Sequence, residues 1–243
     1  MNRLSINNKP KISISWSGGK DSMLALDRII RSNEYQIHHL HTVIDAELKR
    51  VGLHGVPEHL IEKQAAALGL PLKKLYLHKD DSHATYEKLI SEYIQQLKSE
   101  GVELIMYGDI FLEDLKAFRD AKLASAGMQG VYPLWKEKSQ DLINEFLNKG
   151  YKTRICAANK KHFQTSQVGR LISQEWLRAV PAGVDVCGEN GEFHSFVCDG
   201  PLFSSPADHQ VGEVVEKTYH FKVKNADGSV SDQQSSFYFA SLF

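Results

Sequence analysis

The chain has 243 residues, of which 42% are hydrophobic, and its 29 basic side chains nearly balance 30 acidic ones, giving a net charge of −1. This composition is that of a globular protein that can bury a core, and it gives no electrostatic attraction to nucleic acid or to an anionic membrane. Because neither a run of 18 apolar residues nor a secretory signal is present, we expect a cytoplasmic protein without a membrane span.

The first half of the chain alternates strand-like with helix-like segments, which is the pattern of parallel βαβ units. Alternating apolar residues predict strands over residues 11–16, 38–44, 72–77 and 103–107. Apolar residues at helical spacing, with proline and glycine at helix ends, predict helices over residues 22–31, 57–68, 85–98 and 115–126. These four strand–helix units predict an α/β fold with a doubly wound sheet.

The pattern changes near residue 130, where we place the boundary between a domain of residues 1–130 and a smaller, substrate-side domain of residues 131–243. The predicted elements of the second domain are a strand over residues 151–157 and helices over residues 139–149 and 166–177. Near the C-terminus, aromatic residues alternate with polar ones on both sides of the turn-forming residues 225–228. This pattern predicts an antiparallel hairpin.

The sharpest motif lies where the first predicted strand ends and the first helix begins. It consists of Ser17, Gly18, Gly19, Lys20, Asp21 and Ser22. Adjacent glycines carry no Cβ atoms that would keep a polyphosphate away from the backbone, and the N–H groups at a helix start favour an anion. The spacing matches neither the Walker-type loop nor the dinucleotide fingerprint. We predict an ATP-phosphate loop here, the alternative being a plain strand–turn–helix link.

Four side chains of this loop have predicted roles. Ser17 and Ser22 offer hydroxyl groups to phosphate oxygens, and Lys20 offers a positive charge. Because the Asp21 carboxylate repels an anion, we predict that it either caps the helix or helps to hold the Mg²⁺ that accompanies ATP. Lys20 and Asp21 are also candidate catalytic residues.

The six-residue motif resembles the pyrophosphate loop of the ATP pyrophosphatases, which cleave ATP between its α and β phosphates. Three later segments narrow the resemblance to the diphthine–ammonia ligase family: residues 107–110 (YGDI), 132–135 (YPLW), and 188–194 (GENGEFH) with 199–203 (DGPLF). The resemblance spans residues 11–203. It implies a HUP-type, Rossmann-like parallel sheet of five strands in the order 3-2-1-4-5, with a smaller mixed α+β part closing over the strand ends.

The resemblance also implies a reaction with ATP, Mg²⁺ and ammonia. A substrate carboxylate attacks the α-phosphate of ATP to give an acyl-adenylate and pyrophosphate, and ammonia then displaces AMP to leave an amide. In the family the carboxylate belongs to a modified histidine of translation elongation factor 2. Residues 188–195 read GENGEFHS, where the family tends to have GEGGEFET, so the chain is more similar to a bacterial-type branch. The carboxylate substrate (a protein side chain or a small molecule) and a homodimeric state are therefore left open.

Residues beyond the loop complete the predicted site. In the Gly-rich segment, Glu189, Glu192 and His194 are predicted to bind magnesium, orient ammonia or accept its proton; the alternative is a polar turn with solvated carboxylates. Gly108 and Asp109 follow the fourth strand, and ligands of a doubly wound sheet lie beyond the strand ends. We therefore predict Asp109, together with the loop aspartate, as a metal ligand; otherwise it caps the next helix.

Other positions have two interpretations each. His54 precedes the second helix, where the superfamily tends to meet adenine, and a surface loop is the alternative. Trp135 either forms a wall of the substrate cleft or supports the domain junction, and Arg170 either contacts phosphate or is an exposed helix residue. Glu113 and Asp114 are predicted as carboxylates in the first turn of a helix.

The remaining histidines and cysteines are interpreted structurally. His38, His39 and His41 are assigned as strand residues, because no supporting cysteine or carboxylate indicates a metal site. The three cysteines are Cys156, Cys187 and Cys198. Their odd number and the lack of C-x-x-C spacing predict buried free thiols. Two alternatives to the ligase stay open: a tRNA-modifying ATP pyrophosphatase, which would need paired reactive cysteines, and a module that senses ATP or AMP without turnover.

Overall fold

A parallel sheet forms the first half of the computed structural model, which describes residues 9–52, 54–78, 83–224 and 230–243. Its strands are β1 (Lys11–Ser15), β2 (Gln36–Asp45), β3 (Arg50–Val51), β4 (Val56–Pro57), β5 (Leu72–Leu77), β6 (Leu104–Met106) and β7 (Gln129–Val131). The five parallel strands lie in the order β5-β2-β1-β6-β7, which confirms the predicted order 3-2-1-4-5. The short strands β3 and β4 pair antiparallel beside the end of β2.

Four helices connect these strands and match the predicted helices to within two residues at each end. They are α1 (Lys20–Ser32), α2 (Glu58–Leu68), α3 (His83–Ser99) and α4 (Glu113–Ser125). Helix α2 begins directly after Pro57 and ends at Gly69, whose φ of 65° suits a residue without a side chain. Within the described residues, no helix is long and apolar enough to cross a membrane.

A second, antiparallel sheet forms from the other half of the chain. Its strands are β8 (Lys152–Asn159), β9 (Phe193–Asp199), β10 (Val211–Lys224) and β11 (Val230–Leu242), in the order β10-β11-β8-β9. Strands β10 and β11 confirm the predicted hairpin, whose turn residues 225–228 lie outside the described residues. The hairpin continues this sheet, because Phe237 and Phe239 of β11 lie in register with Asn159 and Ala157 of β8.

Two helices accompany the second sheet, and one prediction for this region is wrong. Helix α5 (Ser139–Asn148) lies where predicted, but residues 166–177 do not form one helix. A single 3₁₀ turn (Thr165–Gln167) and the short helix α6 (Gln174–Arg178) stand there instead. Gly169 breaks the helix with a φ of 80°, and Leu171 forms a strand-like bridge with Arg154. Pairing with β8 therefore overrides the local helical pattern.

One hydrophobic core joins both sheets. Met23 and Leu24 of α1 belong to the same buried cluster as Phe193 and Phe196 of β9. Where α1 begins, β9 also bonds directly to the chain that follows β1, because the Val197 N–H donates to the carbonyl of residue 18 at 2.9 Å. The second sheet is thereby held against the carboxyl ends of the parallel strands, where the ligands of such sheets bind.

Candidate active site

A cavity of about 1200 Å³ opens at the carboxyl ends of β1, β2 and β6, and we call it the cleft. One wall is the phosphate loop, residues 17–22, and the facing wall is built by the acidic segment, residues 185–195. Side chains of α3 and α4 line its apolar end: Tyr86, Ile90, Tyr93, Leu115 and Phe118. The volume exceeds the roughly 300–1,000 Å³ of a typical small-molecule site, which leaves room for more than one small molecule.

The phosphate loop is a tight turn that ends in helix α1. Gly18 has a φ of 78°, in the left-handed region that favours glycine, and Gly19 is the N-cap of α1. The Ser17 hydroxyl accepts the Gly19 N–H at 3.3 Å, and the Ser22 hydroxyl donates to the Gly19 carbonyl at 2.9 Å. Both hydroxyl groups therefore hold the loop at the helix start, where first-turn N–H groups have no partner within the helix.

Close packing also requires glycine at both positions of the loop, in addition to the access that glycine gives to a phosphate. A Cβ atom on Gly18 would lie 2.6 Å from Cδ1 of Ile61 and 2.7 Å from Oε1 of Gln64, which are both in α2. A Cβ atom on Gly19 would lie 3.0 Å from the carbonyl oxygen of Ser195 in β9. The glycines thus let the loop approach α2 and β9 closely.

Gln64 is a positioning residue that sequence analysis missed. It is fully buried, and its Nε2 donates to the carbonyls of Gly18 at 2.9 Å and Val197 at 2.6 Å. Its Oε1 accepts the indole N–H of Trp16 at 3.0 Å. One side chain therefore ties together β1, the phosphate loop, α2 and β9. A polar residue among the buried positions of α2 was the only available signal.

Lys20 connects the two walls of the cleft. Its backbone N–H donates to Oγ of Ser195 at 3.1 Å, its Nζ donates to Asp21 at 2.8 Å and to the carbonyl of Cys187, and Nζ lies 5.1 Å from the centre of the Phe193 ring. Burial opposes the charge, but the Asp21 carboxylate raises the pKa of Lys20 above its usual value. Helix α1 has no side-chain cap, so the alternative in which Asp21 caps it is wrong.

Glu189 is the carboxylate of the acidic segment that lines the cleft. Its Oε1 accepts the N–H groups of Ile110 at 2.7 Å and Phe111 at 3.4 Å, just beyond β6. Burial, together with the carboxylates of Asp21 and Asp109, raises the pKa of Glu189 to about 7. At neutral pH this group can gain or lose a proton, which suits a general base or a cation ligand.

Glu192 has a different environment from Glu189 although only three residues separate them. It is buried, with 7% of its surface exposed, and its carboxylate accepts the Asp185 N–H, the Asn190 N–H and the Asn190 side-chain amide, each at 3.0 Å. The alternative of a solvated carboxylate is therefore wrong for Glu192. It does not line the cleft, and its contacts are those of a residue that shapes the acidic segment.

His54 and His194 lie side by side in the cleft with ring centres 4.5 Å apart. Burial lowers the pKa of His54 to about 4, and burial together with His54 lowers the pKa of His194 well below its usual range. Both rings are therefore neutral at pH 7. Within the described part of the chain, His54 Nδ1 and His194 Nε2 are buried without a hydrogen-bond partner. His54 also lies against the phosphate loop, since a Cβ on Gly19 would come within 3.1 Å of its Cε1.

Gly108 and Asp109 lie beside the phosphate loop as predicted. A Cβ atom on Gly108 would lie 2.9 Å from the Asp21 carbonyl carbon, so this glycine lets the end of β6 touch α1. The Asp109 carboxylate is paired with Arg119, whose guanidinium lies 4.3 Å from the centre of the Tyr107 ring. Helix α4 begins four residues after Asp109 without a side-chain cap, so the cap alternative for Asp109 is wrong. Arg119 was missed because it occupies an ordinary helical position.

The acidic groups of the cleft can bind Mg²⁺ only together with other ligands. Asp21 and Asp109 each pair with a basic side chain, and no three acidic groups of the cleft, among the described residues, bring their oxygens within 4.8 Å of one another. A closed protein cage is thus not formed. Mg²⁺ bound mainly by nucleotide phosphates and water needs only one or two protein carboxylates, and the residues present meet that requirement.

Comparison with known proteins identifies the family. The model of the diphthamide synthase N-terminal domain matches residues 10–130, and the model of its C-terminal domain matches residues 138–226. The chain belongs to the diphthine–ammonia ligase family. Diphthine–ammonia ligases of human and cattle are each 27% identical over 229 residues, which cover 84% of this chain and 85% of theirs. The rat enzyme is 25% identical over the same length.

Both walls of the cleft lie within the matched residues of this diphthine–ammonia ligase family member. The phosphate loop falls in the first matched range and the acidic segment in the second. The predicted family is thereby confirmed, whereas placement in a bacterial-type branch stays a prediction.

The other residues singled out in the sequence of this family member lie outside the walls of the cleft or take structural positions. Glu113 and Asp114 occupy the first turn of α4, as predicted. Trp135 does not line the cleft; it is half-buried, with its ring centre 5.9 Å from that of Tyr132. Arg170 is exposed and also lies outside the cleft. The three cysteines are buried free thiols, as predicted.

The three histidines of β2 lie in that strand as predicted, and two of them join a buried network. His39 Nε2 lies 2.6 Å from the Tyr93 hydroxyl, which lies 2.7 Å from the Ser13 hydroxyl, and Ser13 in turn lies 2.8 Å from His41 Nδ1. The stated absence of a nearby carboxylate is wrong. Glu100, which follows α3, lies beside the first of the three histidines.

Proposed function

We propose that the chain is an ATP-dependent amide ligase that adenylates a carboxylate, releases pyrophosphate and then amidates the acyl-adenylate with ammonia. One observation carries this proposal: a glycine-containing loop lies at the N-terminus of α1 inside a large cleft, opposite a carboxylate with a pKa of about 7. The matched relatives are named diphthine–ammonia ligases, and the proposal gives this chain the same class of reaction.

ATP is proposed to bind with its phosphates at the phosphate loop. The helix dipole and the first-turn N–H groups of α1 attract the negative charge there. Lys20 adds to this attraction, although Asp21 offsets part of its charge. Arg119 offers a second cation in the cleft and is likewise paired, with Asp109.

The proposed reaction has two steps. A carboxylate oxygen of the substrate attacks the α-phosphorus, the bond to the bridging oxygen of the β-phosphate breaks, and pyrophosphate leaves. The ammonia nitrogen then attacks the acyl carbon, the bond to the AMP oxygen breaks, and the nitrogen loses one proton. We assign Glu189 to accept this proton, because its pKa of about 7 suits proton transfer at neutral pH.

Mg²⁺ is part of this proposal. Asp21 and Asp109 are the carboxylates that would hold it together with phosphate oxygens, which leaves Glu189 free to take the proton. When bound, Mg²⁺ neutralises phosphate charge and stabilises the departing pyrophosphate.

The geometry argues against the tRNA-thiolation alternative. All three cysteines are buried, and burial raises the pKa of Cys156 to about 12 and also raises the pKa values of Cys187 and Cys198. Sulfur transfer requires a reactive thiolate, which such sites disfavour. A module that only senses ATP would need no titrating carboxylate opposite the phosphate loop.

The direct test is to identify the products formed from ATP. Purified protein is incubated with MgATP, ammonium chloride and a panel of carboxylic acids that includes carboxylate-bearing peptides. We expect pyrophosphate and AMP in equal amounts with at least one acid. Formation of ADP and phosphate would contradict the assigned bond cleavage, and ATP binding without turnover across the panel would favour the sensor.

A pair of variants tests the role of Glu189. Glu189→Gln removes the titrating carboxylate, and we expect it to keep ATP affinity while AMP formation falls about 10²–10⁴-fold. Glu175→Gln, an exposed change in α6, is the matched control and should behave as the wild type. Unchanged AMP formation in Glu189→Gln would remove Glu189 from the mechanism.

A further inference from the structure

Two consecutive histidines near the amino-terminal end of β2 face the same side of the sheet. In a regular strand, neighbouring side chains point to opposite faces. The pairing of β1 with β2 shifts here, because Ile12 pairs with Ile37 but Ser13 pairs with His39, which leaves His38 without a partner on β1. This bulge brings the rings of His38 and His39 to a centre-to-centre distance of 4.7 Å.

Glu100, just after α3, adds a carboxylate to these two imidazoles. Its Oε2 lies 2.9 Å from His38 Nε2, and one potential ligand atom from each of the three residues lies within 4.8 Å of the other two. Two imidazoles and one carboxylate form a ligand set that Zn²⁺ and neighbouring transition-metal ions accept. The cluster lies at the opposite ends of the strands from the phosphate loop.

A second layer of hydrogen bonds orients two of the three groups. The Tyr93 hydroxyl is hydrogen-bonded to His39 Nε2 at 2.6 Å. The other ring nitrogen, Nδ1, is therefore the one that can bind a metal. Gln96 Nε2 donates to Glu100 Oε1 at 2.7 Å. Histidine ligands of metals almost always hydrogen-bond through their other ring nitrogen in this way, and ligating carboxylates are similarly supported.

A plain surface ion pair between His38 and Glu100 explains less of this arrangement. Such a pair needs neither the bulge nor the third residue. His39 is 8% exposed, so a surface pair of His38 and Glu100 also leaves the buried imidazole beside it unexplained.

We propose that His38, His39 and Glu100 bind one divalent transition-metal ion, Zn²⁺ being the expected one, with water completing its coordination. The half-exposed positions of His38 and Glu100 leave room for that water. The ion would connect the start of β2 to the residue that follows α3. It would also fix the hydrogen-bonded chain from His39 through Tyr93 to Ser13. This site is separate from the cleft carboxylates and stands or falls independently of the proposed ligase activity.

The test is metal binding by the full chain, prepared without a histidine tag and freed of metal with a chelator. Zn²⁺ is titrated by calorimetry, and Co²⁺ is titrated by its visible absorption. We expect one equivalent of each, and a rise in melting temperature with Zn²⁺. His38→Gln and Glu100→Gln should each lower the Zn²⁺ affinity by more than the roughly 10–100-fold typical of losing a supporting hydrogen bond.

Two further variants separate a true site from adventitious binding. Tyr93→Phe keeps all three proposed ligands and removes the hydroxyl group that hydrogen-bonds with His39 and with Ser13, and we expect a loss of about 10-fold in Zn²⁺ affinity. His59→Gln removes an exposed histidine of α2 and should leave binding unchanged. Far-UV circular dichroism of the metal-free variants establishes that each is folded. Absence of a saturable site in the wild type, or binding that none of the cluster variants weakens, would overturn the proposal.

Discussion

The phosphate loop is a backbone turn, with Gly18 at a φ of 78° and Gly19 as the N-cap of α1. The acidic segment opposite also has two glycines at positive φ, but there the carboxylates of Asp185 and Glu192 also accept N–H groups within the segment. A local backbone turn leaves a glycine pattern that can be recognised in a sequence. A carboxylate that shapes a loop and a carboxylate that lines the cleft, such as Glu189, are the same residue type in a sequence and can be distinguished only in the structure.

The largest effect is expected where the two walls are joined, at Lys20. Lys20→Met leaves the Asp21 carboxylate without its cation and removes the bond to the Cys187 carbonyl. We expect AMP formation to be lost and stability to fall by about 3 kcal/mol, the low end for breaking a buried pair, because the Asp21 side chain is 30% exposed. Urea unfolding measures the stability loss, and an assay of AMP released from ATP measures the loss of activity.

A matched control for Lys20 is the exposed pair of Lys88 and Glu92 on α3. Lys88→Met should cost less than about 0.5 kcal/mol, since exposed pairs spaced four residues apart on a helix contribute little. Equal losses in the two lysine variants would show that Lys20 does not connect the walls.

The next effect concerns the loop glycine. Gly18→Ala places a Cβ atom 2.6 Å from Ile61 Cδ1 and 2.7 Å from Gln64 Oε1 at a left-handed φ, and we expect a loss of about 2–4 kcal/mol in stability. Gly150→Ala is the control: its φ is 85°, but no heavy atom would lie within 4 Å of the new Cβ. It should therefore show the backbone cost alone, about 1 kcal/mol. If both alanines cost the same, packing against α2 does not explain Gly18.

A smaller effect distinguishes the two glutamates of the acidic segment. Glu192→Gln replaces one accepting oxygen by an NH₂ group, which cannot accept the backbone N–H group that faces it. We therefore expect a loss of about 1–3 kcal/mol in stability. Glu189→Gln keeps a carbonyl oxygen for the Ile110 N–H and should cost less than about 1 kcal/mol, while losing AMP formation. Urea unfolding of both variants provides the stability comparison. A larger stability loss in Glu189→Gln would reverse the assignment of scaffold and cleft residue.

Much of the parallel sheet could be predicted from sequence, because its elements are long enough to show a period. Strand β7 could not, because its sequence QGV has a single apolar side chain, whereas the equally short β6 lies in an apolar run. Residues 166–177 were predicted as a helix because their local pattern is helical, and the bridge between Leu171 and Arg154 overrides it. Contacts across the chain are invisible to such patterns.

The same limit applies to the site. The phosphate loop, Gly108 and Asp109 could be located because they follow strand ends. Gln64 and Arg119 could not, because their importance depends on partners 46 and 10 residues away, with Gln64 reaching Gly18 and Arg119 reaching Asp109. The histidines of β2 were assigned no carboxylate partner because none is near them in the sequence. The fold places Glu100, 62 residues away, beside His38.

The last expected effect is the pH dependence that Glu189 adds to the stability of the chain. Burial and the carboxylates of Asp21 and Asp109 raise its folded-state pKa to about 7, against an ordinary value of 4.5. The folded state thus holds this proton more tightly than the unfolded chain. Its contribution to stability is fully present below pH 4.5 and is lost as the pH rises through about 7. Glu189→Gln cannot lose a proton, so the variant should lose less stability than the wild type between pH 5 and pH 8.

Because other groups also titrate in this range, the relevant quantity is the difference between wild type and variant at each pH. Burial lowers the pKa of His54 to about 4, so that ring favours the folded state as the pH rises and opposes the trend from Glu189. Both proteins contain this histidine, and its contribution cancels in the difference. Glu175→Gln, an exposed glutamate outside the cleft, controls for the substitution itself. A flat difference for Glu189→Gln as well would mean that the facing carboxylates do not act on Glu189, and its assignment as the proton acceptor would lose its physical basis.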